Sequence, residues 1–136
     1  MDTYILTKIQ TAPSYELVYL LYDYLLNLFE ETKKFFEEKN PSKYEKITTS
    51  LLQSQAVVTE LINSIDFEKG GEIAQNLYRL YEYVNWSLIQ ANIKKDKKFI
   101  EDAEIVIKDL KDIWGKAIEE FKKNEKNSDN KNKERR

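Results

Sequence analysis

Apolar side chains recur at intervals of three and four residues in four long segments of this chain. That spacing places them on one face of a helix, so each segment predicts an amphipathic α-helix. Short turns between consecutive helices make neighbours antiparallel, which predicts an all-α, up-down-up-down four-helix bundle. The predicted helices run from Pro13–Ser14 to about Glu38, from Ser42 to about Ile65, from Glu72 to about Ile93, and from Asp96 to about Phe121.

The breaks between these segments carry residues that end or begin helices. Asn40-Pro41 stops the first helix because proline cannot continue it. The next residues, Ser42 to Glu45, fit a capping box for the second helix. Gly70-Gly71 holds two of the three glycines and is predicted to form the corner between helices two and three, since glycine reaches positive φ without a Cβ clash. Asp96 is the predicted N-cap of the fourth helix.

One domain is predicted over residues 1–121, with residues 1–12 as an N-terminal arm. The arm carries the apolar residues Tyr4, Ile5, Leu6 and Ile9. Residues 122–136 contain no apolar side chain at all, so they are predicted to form a disordered polar tail.

Composition excludes several kinds of chemistry. The chain has no cysteine and no histidine, so it lacks thiolate zinc sites, the usual general base and the Glu-x-x-His pairs of di-iron bundles. We therefore expect no enzyme activity, no metal and no cofactor. With a net charge of −2, the protein has no overall positive potential that would attract nucleic acid. The sequence contains no run of about 20 apolar residues, so no membrane-spanning segment is predicted. The N-terminus does not read as a secretory signal, so a cytoplasmic protein is expected.

Helices one and three carry more large apolar residues than one inner stripe needs. The predicted stripe of helix three is Ile73, Leu77, Leu80, Val84, Leu88 and Ala91, and that of helix one is Leu17, Leu20, Leu21, Tyr24, Leu25 and Leu28. Outside these stripes lie Tyr22, Tyr81 and Trp86, and helix four adds Trp114. These aromatic residues could lie at the edges of the bundle with their hydroxyl groups in water. Alternatively, they could line grooves that accept a partner peptide. The periodicity of the sequence does not distinguish the two.

Four ordered segments from Tyr4 to Ala117 share residues and spacing with one known family. They are Tyr4 with Ile9-x-Thr11-Ala12 and Leu21-Tyr22-Asp23; the run DFEKGGEIA from Asp66 with Asn76-Leu77 and Leu80-Tyr81; Leu88 to Asn92; and Asp112-Ile113-Trp114 with Ala117. In these segments the chain resembles the flagellin-specific secretion chaperones of bacterial flagellar export.

This resemblance implies a non-enzymatic cytoplasmic bundle that holds the disordered C-terminal segment of flagellin. Such a chaperone prevents premature polymerisation and delivers its client to a component of the membrane export gate. Tyr4 and Ile9 match family positions tied to client capture. The predicted partner-binding residues are Tyr4, Ile9, Tyr22, Tyr81, Trp86 and Trp114. The alternative is a structural bundle that self-associates as a homodimer through its surplus aromatic faces.

Overall fold

The computed structural model describes residue 7 and residues 14–134, and the latter range holds four helices. They are α1 (Ser14–Phe36), α2 (Lys43–Asn63), α3 (Phe67–Lys94) and α4 (Lys98–Glu134). No strand occurs in the described residues, so the predicted all-α class is confirmed. The predicted arm, with Tyr4 and Ile9, lies outside the described part of the chain apart from residue 7.

The helices form a closed ring in which each packs against two neighbours: α1 on α2, α2 on α3, α3 on α4, and α4 on α1. Side-chain pairs show the direction of packing. Asp23 near the start of α1 pairs with Lys111 of α4, whereas Lys33 near the end of α1 pairs with Glu104, which comes earlier on α4. The two helices are therefore antiparallel. The same reversal holds between α2 and α3, in Thr48–Asn92 and Gln55–Asn85, and between α1 and α2, in Thr32–Ser50 and Phe35–Lys46.

The core uses alternating spacings of three and four on each helix, but its register differs from the predicted stripes. On α3 the inward positions are Ala74, Leu77, Tyr81, Val84, Leu88 and Ala91, and on α4 they are Ile100, Ala103, Ile107, Leu110 and Trp114. Ile73 and Leu80, predicted to be inner residues, are exposed, and Ile73 has 78% of its surface in solvent. On α1, Val18, Tyr22 and Phe29 are buried although the pattern placed them outside the stripe.

The start of α3 corrects the predicted corner. The turn between α2 and α3 is Ser64–Asp66, and α3 begins at Phe67, where Asp66 accepts a hydrogen bond from the backbone N–H of Lys69 at 3.1 Å. Gly70-Gly71 therefore lies inside the first turns of α3, and Gly71, with φ 51° and ψ −124°, kinks the helix. Positive φ was expected at this glycine pair, and Gly71 adopts it.

Two other predicted caps have different outcomes. Ser42 makes no side-chain capping bond, so the capping box was wrong; the side chain of Asn40 accepts from the backbone N–H of Ser42 instead, at 3.0 Å. Asp96 stands one residue before the N-cap position of α4, but its carboxylate accepts from the backbone N–H of Lys98 at 2.9 Å and so satisfies one donor at the start of that helix.

The last helix extends further than its apolar pattern indicated. We expected α4 to end near Phe121, but it continues to Glu134, and residues 122–131 are exposed throughout. This extension contains no glycine or proline to stop the helix. Near its start, Lys122 forms an ion pair with Glu16 at 2.7 Å. Disorder of this segment stays a prediction.

Candidate partner-binding groove

An apolar groove opens at the end of the bundle where α1 and α3 begin. It has a volume of about 510 Å³. The first turn of α1, the Ser64–Asp66 connection, the kinked start of α3 and one side chain of α4 form its walls. Its apolar lining is Tyr15, Leu17, Val18, Ile65, Ile73, Ala74, Leu77, Tyr81 and Trp114.

The glycine pair shapes one wall of this groove. Gly70 lines it, and a Cβ added there would lie 2.6 Å from the Cβ of Ala74, so only glycine fits at this approach. Gly71 supplies the left-handed φ that bends the start of α3. Ile73 follows the bend and projects into solvent at the mouth of the groove. An apolar side chain therefore stands in solvent directly after the bend, at the edge of the groove.

Trp114 is fixed between the groove and the core. Its indole N–H donates to the backbone carbonyl of Tyr15 at 2.7 Å. Its ring meets that of Tyr22 edge-on, with centroids 6.2 Å apart. An aromatic side chain held at both ends loses little conformational entropy on binding, which suits an anchor in a protein interface.

A smaller apolar pocket of about 230 Å³ adjoins the groove between α1 and α4. Its lining is Tyr15, Trp114, Ala117, Ile118 and Phe121, so it shares Tyr15 and Trp114 with the groove. The ring centroids of Tyr15 and Phe121, both in this lining, lie 5.2 Å apart. Together, the two cavities put apolar surface on both sides of Trp114.

Tyr22 and Tyr81 do not lie on the outer surface, and this corrects their predicted position. Both side chains are completely buried, and their hydroxyl groups hydrogen-bond to each other. Burial raises the pKa of Tyr22 to about 12, although its hydrogen bond to Tyr81 acts in the opposite direction. Burial also raises the pKa of Tyr81, and its hydroxyl partner adds to that effect. These tyrosines join α1 to α3 across the bundle, and a direct partner contact is no longer assigned to them.

Trp86 is half exposed, as predicted, but it does not line the groove. It stacks on Tyr83, with ring centroids 6.2 Å apart, on the part of α3 beyond the groove. Of the predicted partner-binding residues in the described part of the chain, only Trp114 and the buried Tyr81 border the groove. Sequence reasoning missed Ile65 and Ile73, and the signal for Ile73 was its place directly after Gly-Gly-Glu.

The groove offers surface for binding and no catalytic constellation. Its charged lining residues are Asp66 and Lys69, beside the serines Ser14 and Ser64. Asp66 is already used as the helix cap. Within residue 7 and residues 14–134, no group of three metal-ligating side chains comes together, and no helix is long and apolar enough to cross a membrane.

The fold and the groove define the class: a four-helix bundle that presents an apolar groove at one end. The family model described as Flagellar protein FliS matches residues 1–121, and the chain belongs to this family. The family is one of flagellar secretion chaperones, not of enzymes.

Named relatives agree with this assignment across most of their length. The flagellar secretion chaperone FliS of Salmonella typhimurium is 29% identical over 109 residues, which cover 79% of this chain and 78% of the relative. The proteins of the same name from Escherichia coli and Bacillus subtilis are each 26% identical, over 113 and 116 residues. They cover 82% and 85% of this chain, and the matches span 81% and 84% of the relatives.

Proposed function

We propose that this flagellar export chaperone binds the disordered C-terminal segment of flagellin in the cytoplasm. By covering that segment it prevents premature polymerisation, and it then delivers the subunit to the export gate. The observation that carries the proposal is the open apolar groove of about 510 Å³ in a member of the FliS family.

The physical basis is folding on binding. A disordered client presents apolar side chains to water, and an amphipathic helix formed in the groove would bury them. Burying one large apolar side chain contributes roughly 1.5–3 kcal/mol, and ordering the client consumes part of that gain. The affinity for the client is therefore moderate relative to the surface area that it buries, which suits a chaperone that must release its client. Trp114 is the proposed anchor, because it is held by Tyr15 and borders both cavities.

Tyr4 and Ile9 remain in the proposal as client contacts. Ser14 begins α1 and lines the groove, and Ile9 and Tyr4 precede it by five and ten residues in the sequence. We expect the Tyr4→Ala, Ile9→Ala double variant to weaken binding of a flagellin C-terminal fragment while the melting temperature moves little. A large fall in melting temperature with unchanged affinity would instead assign both side chains to the core.

Two exposed isoleucines provide the test of the groove. Ile73 lines it and is 78% exposed, whereas Ile105 lies on α4 outside it and is 61% exposed. The proposal predicts that Ile73→Glu weakens binding of a flagellin C-terminal fragment about tenfold or more in calorimetric titration, because a carboxylate would be desolvated. Ile105→Glu should bind like the parent chain. Equal affinities for both variants would place the client elsewhere.

A further inference from the structure

A second apolar surface lies on the outside of α3, beyond the groove. Its members are Tyr83, Trp86, Ile89 and Ile93 of α3, together with Phe99 at the start of α4, and we call it the outer patch. Tyr83 stacks on Trp86, and Trp86 meets Phe99 edge-on at 6.1 Å between centroids. Ile89 and Ile93 extend this aromatic group along α3, since residues three, four and seven apart share a helix face.

The outer patch is open to solvent and separate from the groove. Trp86 is 51% exposed and Ile93 is 71% exposed. The groove uses α3 only as far as Tyr81, and none of the five residues of the outer patch lines it. The groove and the outer patch are therefore two surfaces built from different residues.

Positive charge marks one end of the outer patch. The ammonium group of Lys94 lies over the ring of Phe99, 5.2 Å from its centroid. Lys94 and Lys98 are exposed and form no ion pair within the described residues. Lys97, in contrast, is paired with Glu37 at 3.0 Å. Lys94 thus stands beside a ring of the outer patch without a carboxylate partner, and Lys98 is the residue directly before Phe99 in the sequence.

We propose that the outer patch binds an amphipathic helix of a partner protein that carries acidic residues at one end. The stripe from Tyr83 to Ile93 is about 15 Å long at 1.5 Å per residue, which matches about three turns of a docked helix with anchors at i, i+3 and i+7. The area of one helix face of this length is small compared with the roughly 800 Å² that each partner buries in a stable protein dimer. A single helix therefore fits the outer patch better than a second copy of this chain. The uncommitted charges of Lys94 and Lys98 select carboxylates on the partner. This inference does not rest on the proposed flagellin contact.

The two tryptophans allow a direct measurement. In a Trp114→Phe chain, Trp86 is the only tryptophan and reports on the outer patch. The probe is a synthetic 15-residue helical peptide with leucines at i, i+3 and i+7 and glutamates in one terminal turn. We expect a saturable blue shift of the Trp86 emission, weakened by added salt. A matched peptide with lysines in place of the glutamates should give no shift.

Variants outside the aromatic group separate recognition from folding. The Lys94→Ala, Lys98→Ala double variant should bind the acidic peptide about tenfold more weakly, and Lys126→Ala, on the exposed extension of α4, should bind it normally. Binding of a flagellin fragment should not change in either variant. Equal binding of the two peptides, or no shift at all, would overturn the proposal. So would a homodimer in sedimentation that Trp86→Ala dissociates, since the occupant would then be a second copy of this chain.

Discussion

The hydroxyl groups of Tyr22 on α1 and Tyr81 on α3 hydrogen-bond to each other in the centre of the bundle, where both side chains are completely buried. The two residues are 59 positions apart in sequence. Each hydroxyl satisfies the other, so the pair places two polar groups in the core without leaving either one unpaired.

Removing both hydroxyls should cost less than the sum of removing each one alone. Tyr22→Phe or Tyr81→Phe alone leaves a buried hydroxyl without a partner, which costs about 1–3 kcal/mol in the free energy of unfolding. The double variant should be destabilised by less than the sum of the single variants. Urea unfolding of the four chains gives the coupling energy. Strict additivity would show that the two hydroxyls do not depend on each other.

Alkaline pH should destabilise the bundle through the same pair. Burial raises the pKa of Tyr22 from 10.0 to about 12, and that of Tyr81 is also raised. The unfolded chain therefore loses these protons first, so the stabilisation is complete below about pH 10 and is lost as the pH rises toward about 12. For Tyr22 the loss amounts to roughly 2–3 kcal/mol.

The control for the alkaline prediction separates these tyrosines from the others. Chemical denaturation at pH 9 and pH 11 should show a smaller fall in stability for the Tyr22→Phe, Tyr81→Phe variant than for the parent chain. Tyr44→Phe removes a half-exposed hydroxyl and should leave the fall unchanged. The prediction fails if both variants respond to pH alike.

Gly71 should be a backbone requirement rather than a contact. Its φ of 51° is strained for any residue with a Cβ, so Gly71→Val should lower the free energy of unfolding by about 1–3 kcal/mol. Gln75→Val, at an exposed helical position of α3, is the matched control and should cost much less. If thermal unfolding shows equal losses for the two valines, the kink is not held by the conformation of Gly71.

The extension of α4 should contribute little to stability. Residues 124–131 are exposed, so deletion of residues 124–136 should change the free energy of unfolding by less than about 0.5 kcal/mol. A chain that ends at Ile118 also loses the contact of Phe121 with Tyr15 and should be measurably less stable. Hydrogen exchange should find fast amides after residue 124. Protected amides there would show that the extension is a firm part of the fold.

Sequence spacing was enough to predict the helices, but not which face of α3 is buried. The stripe through Ile73 and Leu80 and the stripe through Ala74 and Tyr81 both follow intervals of three and four. Hydrophobicity favours the first, because it carries isoleucine and leucine. The structure uses the second, because the hydroxyl of Tyr81 finds its partner on α1, and no local pattern reveals a partner 59 residues away.

The sequence predicted that an exposed apolar surface exists, but not where it lies. Surplus apolar residues indicated that some would remain outside the core, and exposed Trp86 bears this out, whereas Ile73 is exposed although it was predicted to face the core. Their location depended on the register of α3, which buries Ala74 and Tyr81 and so leaves Ile73 and Trp86 in solvent. The outcome on α4 is similar: neighbouring Ile113 and Trp114 compete for one core position, and Trp114 takes it through its hydrogen bond to Tyr15.

The packing of α4 against α1 closes the ring of helices. The position of the chain termini along this ring therefore has little effect on the core. The rings of Tyr15 and Phe121 are in contact, which brings the start of α1 close to the end of the packed part of α4. A short flexible linker can therefore join the two, and new termini can be opened in the polar turn between α1 and α2. Such a circular permutant would keep all four helix interfaces, and a client segment inserted into the new linker would be tethered at the groove end at a chosen length.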